Sequence, residues 1–322
     1  MPDSRHHRMR TVVLALTLAL TAATGCDTES TGSPTGPPAR ALIGQELSAQ
    51  RLLTLPFDTL EPSKQDNILV QRATMRLLRT CMASAGLAME LPEVRPSPYP
   101  KHATVLGWLG AHQVEKYGYR GPEGFAGEMA AASRRESRPI VISPEHDGVF
   151  SGSVRTFKGK AVPTGGCDGQ TRRTLNGGNP RILVPGEDPH LHAERGLQAL
   201  EQQAADLARS SGRFGSLVRS WASCMKERGH RYKNPDEAQA DPRWESDAAR
   251  QKAVSPSEIA TALDDRDCRA KVNFSGVLRE LIARQEHRIL GEENPTGTIA
   301  ALLRTRVRNA EKVLSNASPL PY

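Results

Sequence analysis

The chain is 322 residues long, carries a net charge of +7 and has few aromatic residues, 4% of the total. Its excess basic residues are arginines spread along predicted helix faces, and no basic run is interleaved with aromatic residues, which argues against a nucleic-acid-binding protein. The roughly 280 residues after the N-terminal segments suffice for one large domain or two small ones.

The N-terminal segment, residues 1–25, has the layout of a secretory signal peptide. Arg5, Arg8 and Arg10 make a basic start, and residues 11–23 form an uninterrupted apolar run. As a helix this run spans about 20 Å, which is too short for a bilayer core of about 30 Å. The pattern predicts export, with translation starting at Met1 or Met9.

The residues before Cys26 resemble the lipobox of bacterial lipoproteins. Ala23, Thr24 and Gly25 are small, although Ala23 stands where Leu is usual. The resemblance implies that Cys26 carries a diacylglyceryl group with palmitate-like chains and becomes the N-terminus after cleavage. Two acyl chains hold a protein stably at a membrane. Cys26 is therefore the predicted lipidation site. The alternative is an ordinary signal peptide cut nearby, with Cys26 as a spare thiol.

Residues 26–40 are predicted to form a disordered tether behind the lipid. After Cys26 they are rich in Ser, Thr, Gly and Pro and contain no large apolar side chain. Such a segment buries too little surface to offset its ordering entropy. Its typical reach of about 20 Å suits a link between a membrane and a folded body.

An internal repeat links the two halves of the folded body. The motif Cys-Met-x3-Gly, followed by proline and an acidic residue, occurs at residues 81–93 and again at 224–236. Each copy ends a segment whose apolar residues have helical spacing. Gly86 and Gly229 are predicted to close these helices in the left-handed conformation. The pattern favours a duplicated module over a chance match.

The first Cys module, residues 41–187, is predicted to be loop-rich and to mix α-helices with short β-hairpins. Residues 140–142 and 149–157 flank Asp147-Gly148 and predict one hairpin, and Lys158-Gly159-Lys160 predicts the turn of a second. Residues 162–167 predict a loop.

The second Cys module, residues 188–322, is predicted to be a helical bundle. Asp188-Pro189 opens one helix as N-cap and N1 proline, and Ser255 with Glu258 forms a capping box before another. Apolar stripes at helical spacing follow, one of them with a glutamine in it: Leu278, Leu281, Ile282, Gln285 and Ile289. The overall fold class is therefore mainly α, stapled by disulfides.

Four cysteines remain after Cys26, and an even number in an exported chain indicates two disulfides: Cys81, Cys167, Cys224 and Cys268. Three pairings are possible, and a sequential one would keep each bridge within one half of the chain. The equivalent places of Cys81 and Cys224 in the repeat favour separate partners. The rival is a metal site, against which the absence of C-x-x-C and of suitably spaced histidines argues.

A Cys224–Cys268 bridge would place the helix that ends near Cys224 beside the helix that Ser255 opens, because bridged Cα atoms lie about 4.4–6.8 Å apart. Trp221 and Met225 would then pack against Leu263 and Ile282.

Several segments resemble a family of uncharacterised lipoproteins from high-GC Gram-positive bacteria: residues 221–235, residues 264–285, residues 162–167 and Tyr117-Gly118-Tyr119. The similarity covers most of residues 70–290. It implies the lipid anchor and the sequential disulfides, and it supplies no catalytic residue.

No residue set for catalysis, cofactor binding or metal binding is predicted. Neither G-x-S-x-G nor H-E-x-x-H occurs. His190 and His192 are interpreted as surface histidines, residues 165–169 as a turn beside a disulfide, and Gln285 as a structural hydrogen-bonding group. Three aromatic residues could form a sugar platform but are better interpreted as core anchors: Trp108, Tyr117 and Tyr119.

The sequence thus predicts a lipoprotein at the outer face of the cytoplasmic membrane, non-enzymatic, with a binding or envelope-associated role. Its partners would be membrane lipid through Cys26 and an unidentified wall component or protein, with no nucleic acid. The alternative is an exported hydrolase or transferase with an unrecognised acid/base site. A cleft with two or more carboxylates, or a histidine with a shifted pKa, would favour the enzyme. A transporter's substrate-binding lipoprotein fits less well, because the second half shows no alternating β/α units.

Overall fold

A computed structural model of the chain describes residues 53–178, 193–244, 253–291 and 296–316. The predicted signal peptide, Cys26, the tether, the helix start at Asp188-Pro189 and the pair His190 and His192 lie outside the described residues. So does the predicted boundary between the two Cys modules after residue 187.

The described residues are mainly helical, as predicted. In chain order the elements are the 3-10 helix Pro56–Leu60, α1 Lys64–Ser84, α2 Val114–Tyr117, α3 Phe125–Ser133, α4 Pro144–Ser151, β1 Thr156–Phe157, β2 Lys160–Ala161, α5 Gly166–Leu175, α6 Ala193–Arg209, α7 Gly212–Glu227, α8 Pro235–Gln239, α9 Pro256–Lys271, α10 Phe274–Gly291 and α11 Thr296–Ser315. No helix of these ranges has the length and apolar character of a membrane span.

Both copies of the Cys-Met-x3-Gly motif end their helices in the same way. Gly86 and Gly229 have φ of 79° and 91°. After each glycine the next residue donates its N–H to the carbonyl five residues earlier, at 3.0 Å for Leu87 to Met82 and 2.9 Å for His230 to Met225. This is the Schellman arrangement, in which a residue without Cβ occupies the left-handed position at low cost. The repeat in sequence is thus a repeat in local structure.

The predicted hairpin around Asp147-Gly148 is wrong. Residues 144–151 form α4 instead, with Pro144 in its first turn and Val149 buried. Proline at the start of a helix has its φ already set, and this local signal outweighs the short apolar run before it. The second predicted hairpin is confirmed, because β1 and β2 pair across Lys158-Gly159.

Residues 165–169 do not form an isolated turn. Gly165 caps α5, which begins at Gly166 and places Cys167 in its first turn. The loop predicted at residues 162–167 is thus shorter than expected.

The N-cap of α9 differs from the predicted capping box in one respect. Ser255 Oγ accepts the N–H of Glu258 at 3.1 Å, as expected. The Glu258 carboxylate does not return to Ser255, because it accepts the N–H of Tyr119 at 3.0 Å. It therefore ties α9 to the loop after α2.

The structure contains the disulfides Cys81–Cys167 and Cys224–Cys268, which is the sequential pairing. The first joins α1 to α5, and the second joins α7 to α9 with Cα atoms 5.7 Å apart. Helices α7 and α9 therefore lie side by side.

The main hydrophobic core lies where α6, α7 and α10 meet. Trp221, Met225 and Ile282 are buried there, together with Phe57 of the 3-10 helix and Phe125 of α3. This core draws on residues of both predicted Cys modules. The predicted contact of Trp221 with Leu263 is replaced, because Leu263 packs in a separate small cluster beside α2.

Candidate functional site

A cleft of about 370 Å³ opens beside the 3-10 helix. Its walls come from that helix, the start of α1, residues 99–102 and the residues after α3. We call it the charged cleft because of its ionisable lining residues: Asp58, Glu61, Lys64, Lys101, His102, Arg135 and Glu136.

Arg135 and Glu136 reach the cleft through an unusual backbone. Their φ angles are 55° and 68°, the left-handed region that costs a non-glycine residue about 1–2 kcal/mol. Both residues are nonetheless buried, with exposed fractions of 7% and 6%. Strained backbone of this kind concentrates at functional sites, where the surrounding structure enforces it.

Lys101 and Arg135 hold a group of carboxylates together. Lys101 Nζ lies 3.2 Å from Asp58 Oδ1 and 2.9 Å from Glu201 Oε1, and it also contacts Glu61. Arg135 Nη2 lies 2.7 Å from Glu61 Oε1 and 3.3 Å from Glu201 Oε2. Removing one partner would leave buried charge without compensation, so the group acts as a unit.

Two further pairs complete the charged cleft. His102 Nε2 lies 2.7 Å from Asp58 Oδ1. The Glu136 carboxylate accepts the backbone N–H of Ser97 and lies 3.4 Å from Lys64 Nζ. Each carboxylate that lines the cleft thus has a cationic or histidine partner among the described residues.

These contacts separate the pKa values of the carboxylates. Burial opposes ionisation of Asp58, but His102 and Lys101 outweigh it and lower its pKa to about 2. Burial and the charge of Glu201 raise the pKa of Glu61. Arg135 and Lys101 overcome burial and lower that of Glu201. Acids with separated pKa values are also a feature of acid/base sites.

Glu286 of α10 lies beneath this group and is 1% exposed. Its Oε2 accepts the N–H of Phe57 at 2.9 Å, and its Oε1 has no hydrogen-bond partner among the described residues. Burial, together with the charges of Glu201 and Asp58, raises its pKa to about 7. The fold therefore favours the protonated form of this carboxyl.

Glu286→Gln is expected to stabilise the protein above neutral pH. In the folded protein the pKa of Glu286 is about 7, above the ordinary value of 4.5. Its contribution to the free energy of unfolding is therefore fully present below pH 4.5 and is lost as the pH rises through 7. The difference between the two pKa values corresponds to about 3 kcal/mol of stability lost at high pH. Urea unfolding of the variant at about pH 5 and about pH 8 should show a gain only at the higher pH. Glu280→Gln, at a half-exposed position of the same helix, is the control, and an equal gain in both variants would contradict the assignment.

A second buried polar group centres on Asp265 of α9, which is 0% exposed. Its carboxylate accepts Trp221 Nε1–H at 2.7 Å, two N–H groups of Arg269 at 2.8 Å and Tyr119 Oη–H at 3.1 Å. Arg269 Nη1 also donates to the Gly107 carbonyl at 2.7 Å. This buried group thus joins α7, α9 and two loops.

Two of the three aromatic residues singled out in the sequence, Trp108 and Tyr119, pack against the main core. The Tyr119 hydroxyl donates a hydrogen bond to Asp265. Burial, and after it the negative charge of Asp265, raises the pKa of Tyr119, so its hydroxyl stays protonated and remains a donor. Trp108 lines a different, smaller cavity beside Arg269. Tyr117 is half-buried on the surface of α2. The positions of Trp108 and Tyr119 agree with their interpretation as core anchors.

Gln285, which the sequence places on an apolar helix face, is not fully buried. It is half-buried, whereas the adjacent Glu286 faces the core. The spacing from Ile282 and Ile289 to residue 286 is four and three positions, which is the signal that could have identified it. The ionisable residues that line the charged cleft come from three segments that are distant in the sequence, 58–64, 101–102 and 135–136, and none of these segments carries a motif.

Among the described residues, no group of three or more His, Cys, Asp or Glu side chains is arranged to hold a metal ion. Ser223 and Lys226, which have S-x-x-K spacing, are exposed near the end of α7 and line neither the charged cleft nor the smaller cavity beside Arg269. Comparison with protein families, curated proteins and solved structures found no match for this chain.

Proposed function

We propose that this chain is an exported lipoprotein that binds a ligand or partner at the outer face of the cytoplasmic membrane without transforming it. The basic and apolar layout of residues 1–25 and the small residues before Cys26 support export and lipidation. The two disulfides suit an extracytoplasmic location. The resemblance of residues 221–235 and 264–285 to lipoproteins of high-GC Gram-positive bacteria is part of the same proposal.

The observation that carries the binding role is the charge compensation in the charged cleft. A general acid or base needs a carboxyl oxygen or ring nitrogen within reach of the substrate. Here Glu61 and Arg135 are buried in an ion pair, and Glu136 is held by Ser97 and Lys64. Fixed charges in a preformed cavity recognise a polar ligand by complementarity.

Lys64 offers a test, because it lines the charged cleft and its side chain is 41% exposed. Amide hydrogen exchange of the purified protein should slow at residues 97–102 and 134–137 when envelope fragments are added. Lys64→Gln should abolish this protection, while Lys271→Gln, an exposed cation on α9, should keep it. Absence of protection at both segments would contradict the proposal.

A hydrolase or transferase remains the second candidate, favoured by the Asp58–His102 pair. A carboxylate 2.7 Å from an imidazole can orient the ring for proton transfer, and the cleft holds several carboxylates. Chromogenic ester, phosphate and glycoside substrates test it. Turnover that Asp58→Asn and His102→Gln both abolish would establish this candidate and overturn the binding role.

Cys26→Ser is expected to move the protein from the membrane fraction to the medium or to the uncleaved precursor. The thiol is the acceptor of the proposed diacylglyceryl group, and serine offers no sulfur for that bond. Fractionation followed by immunoblotting measures the shift, with Thr24→Ser as a control that keeps the small residue and the cysteine. An unchanged membrane fraction for Cys26→Ser would contradict the anchor.

A further inference from the structure

A second groove, of about 410 Å³, lies between α1, α5 and residues 134–140. We call it the arginine groove. It shares only Asn67 and Arg135 with the lining of the charged cleft, and it is otherwise a separate site.

The lining of this groove is strongly basic. It includes five arginines and, among the described residues, a single carboxylate, Asp168. Asp168 accepts the Nε–H of Arg172 at 2.8 Å, and neither Nη group of that guanidinium has a hydrogen-bond partner within the described ranges. Arg134 is exposed and forms no ion pair within the described ranges. Arg135 and Arg138 are already paired, the first with Glu61 and Glu201 and the second with Glu128. The donors that the groove offers to an anion are therefore those of Arg134 and Arg172.

Thr171 gives an independent indication that a ligand is missing. It is 3% exposed, it lines the groove, and its Oγ1 has no hydrogen-bond partner among the described residues. Thr174 on the same helix bonds the carbonyl of Gln170 at 3.0 Å in the usual way. A buried hydroxyl without a partner loses its hydrogen bonds to water and gains none in return, so such groups are rare unless a bound species satisfies them.

We propose that the arginine groove binds the phosphate group of an anionic ligand. Guanidinium groups offer paired N–H donors that match phosphate oxygens, and Thr171 would donate one more hydrogen bond. The floor is apolar, formed by Val70, Leu78 and Leu175, and suits a non-charged part of the same ligand. The inference depends neither on the Cys26 anchor nor on the charged cleft.

Isothermal titration of the purified protein tests this with two probes: inorganic phosphate and vesicles of phosphatidylglycerol. Binding of inorganic phosphate would show that a free phosphate anion is enough to occupy the groove. Binding of the vesicles alone would show that the ligand is the phosphate of a lipid headgroup. Arg134→Ala is expected to weaken binding about tenfold and Thr171→Val several-fold, because each removes one donor.

Arg284→Ala is the matched control, since it removes the same charge from an exposed position on α10 and should leave the affinity unchanged. Thr171→Val keeps the side-chain shape, and its circular dichroism confirms folding. The proposal is overturned if neither probe binds, if acetate binds as tightly as phosphate, or if the groove variants bind as well as Arg284→Ala.

Discussion

Asp265→Ala is expected to lower the free energy of unfolding by about 3–5 kcal/mol. Asp265 is fully buried and its two oxygens accept hydrogen bonds from Trp221, Arg269 and Tyr119. Without it, Arg269 would be a buried cation lacking its only close carboxylate among the described residues, and the Trp221 N–H would lose its acceptor. Urea unfolding followed by circular dichroism measures the loss.

Asp267→Ala is the matched control for that prediction. Asp267 lies on the same helix two positions later, its side chain is 39% exposed, and it pairs with Arg228 and Arg266 near the surface. Exposed ion pairs contribute about 0–1 kcal/mol, so this variant should be close to the parent protein. Equal losses in the two variants would show that Asp265 contributes no more than a surface charge.

Removal of the Cys224–Cys268 disulfide is expected to cost about 4 kcal/mol. The bridge closes a segment with a sequence separation of 44, and replacing both cysteines with alanine frees that segment in the unfolded chain. Both sulfurs also lie in the main core, since Cys224 and Cys268 are buried. Hydrogen exchange should then show faster opening of α7 and α9 than of α1 and α5.

The Cys81–Cys167 double alanine variant provides the comparison. Its bridge joins α1 to α5 and lies in a small cluster with Leu78 and Val149, away from Trp221. Loss of that bridge should therefore loosen α1 and α5 first. The assignment of each bridge to its own helices would be wrong if removing Cys224–Cys268 opened α1 and α5 before α7 and α9.

Local patterns in the sequence correctly predicted the mainly helical class, several helix ends and one turn. Ser255 acts as an N-cap, Gly86 and Gly229 close their helices, and the Lys158-Gly159 turn joins two strands. Each of these features depends on a few neighbouring residues. The prediction of a hairpin around Asp147-Gly148 was wrong. It relied on a three-residue apolar run, which is a weaker local signal than the proline at the start of α4.

The charged cleft could not be predicted in this way. Asp58, Lys101 and Glu201 are distant in the sequence and meet only when the 3-10 helix, a loop and α6 pack together. None of them stands in a motif, and charged residues are usually solvated. The backbone conformation of Arg135 and Glu136 could not be predicted from the sequence either, since residues other than glycine rarely adopt positive φ. Only Glu286 had a signal, in its position on an apolar helix face.

Arg135 forms part of the wall between the charged cleft and the arginine groove, and it already binds Glu61 and Glu201 on the cleft side. An anion in the groove would draw on the same guanidinium and so change the free energy with which the cleft holds its own ligand. Thermodynamic linkage requires the effect to be reciprocal, because each occupant alters the affinity of the other by the same factor. A single buried side chain, Arg135, would in that way couple the ligand affinities of two separate sites.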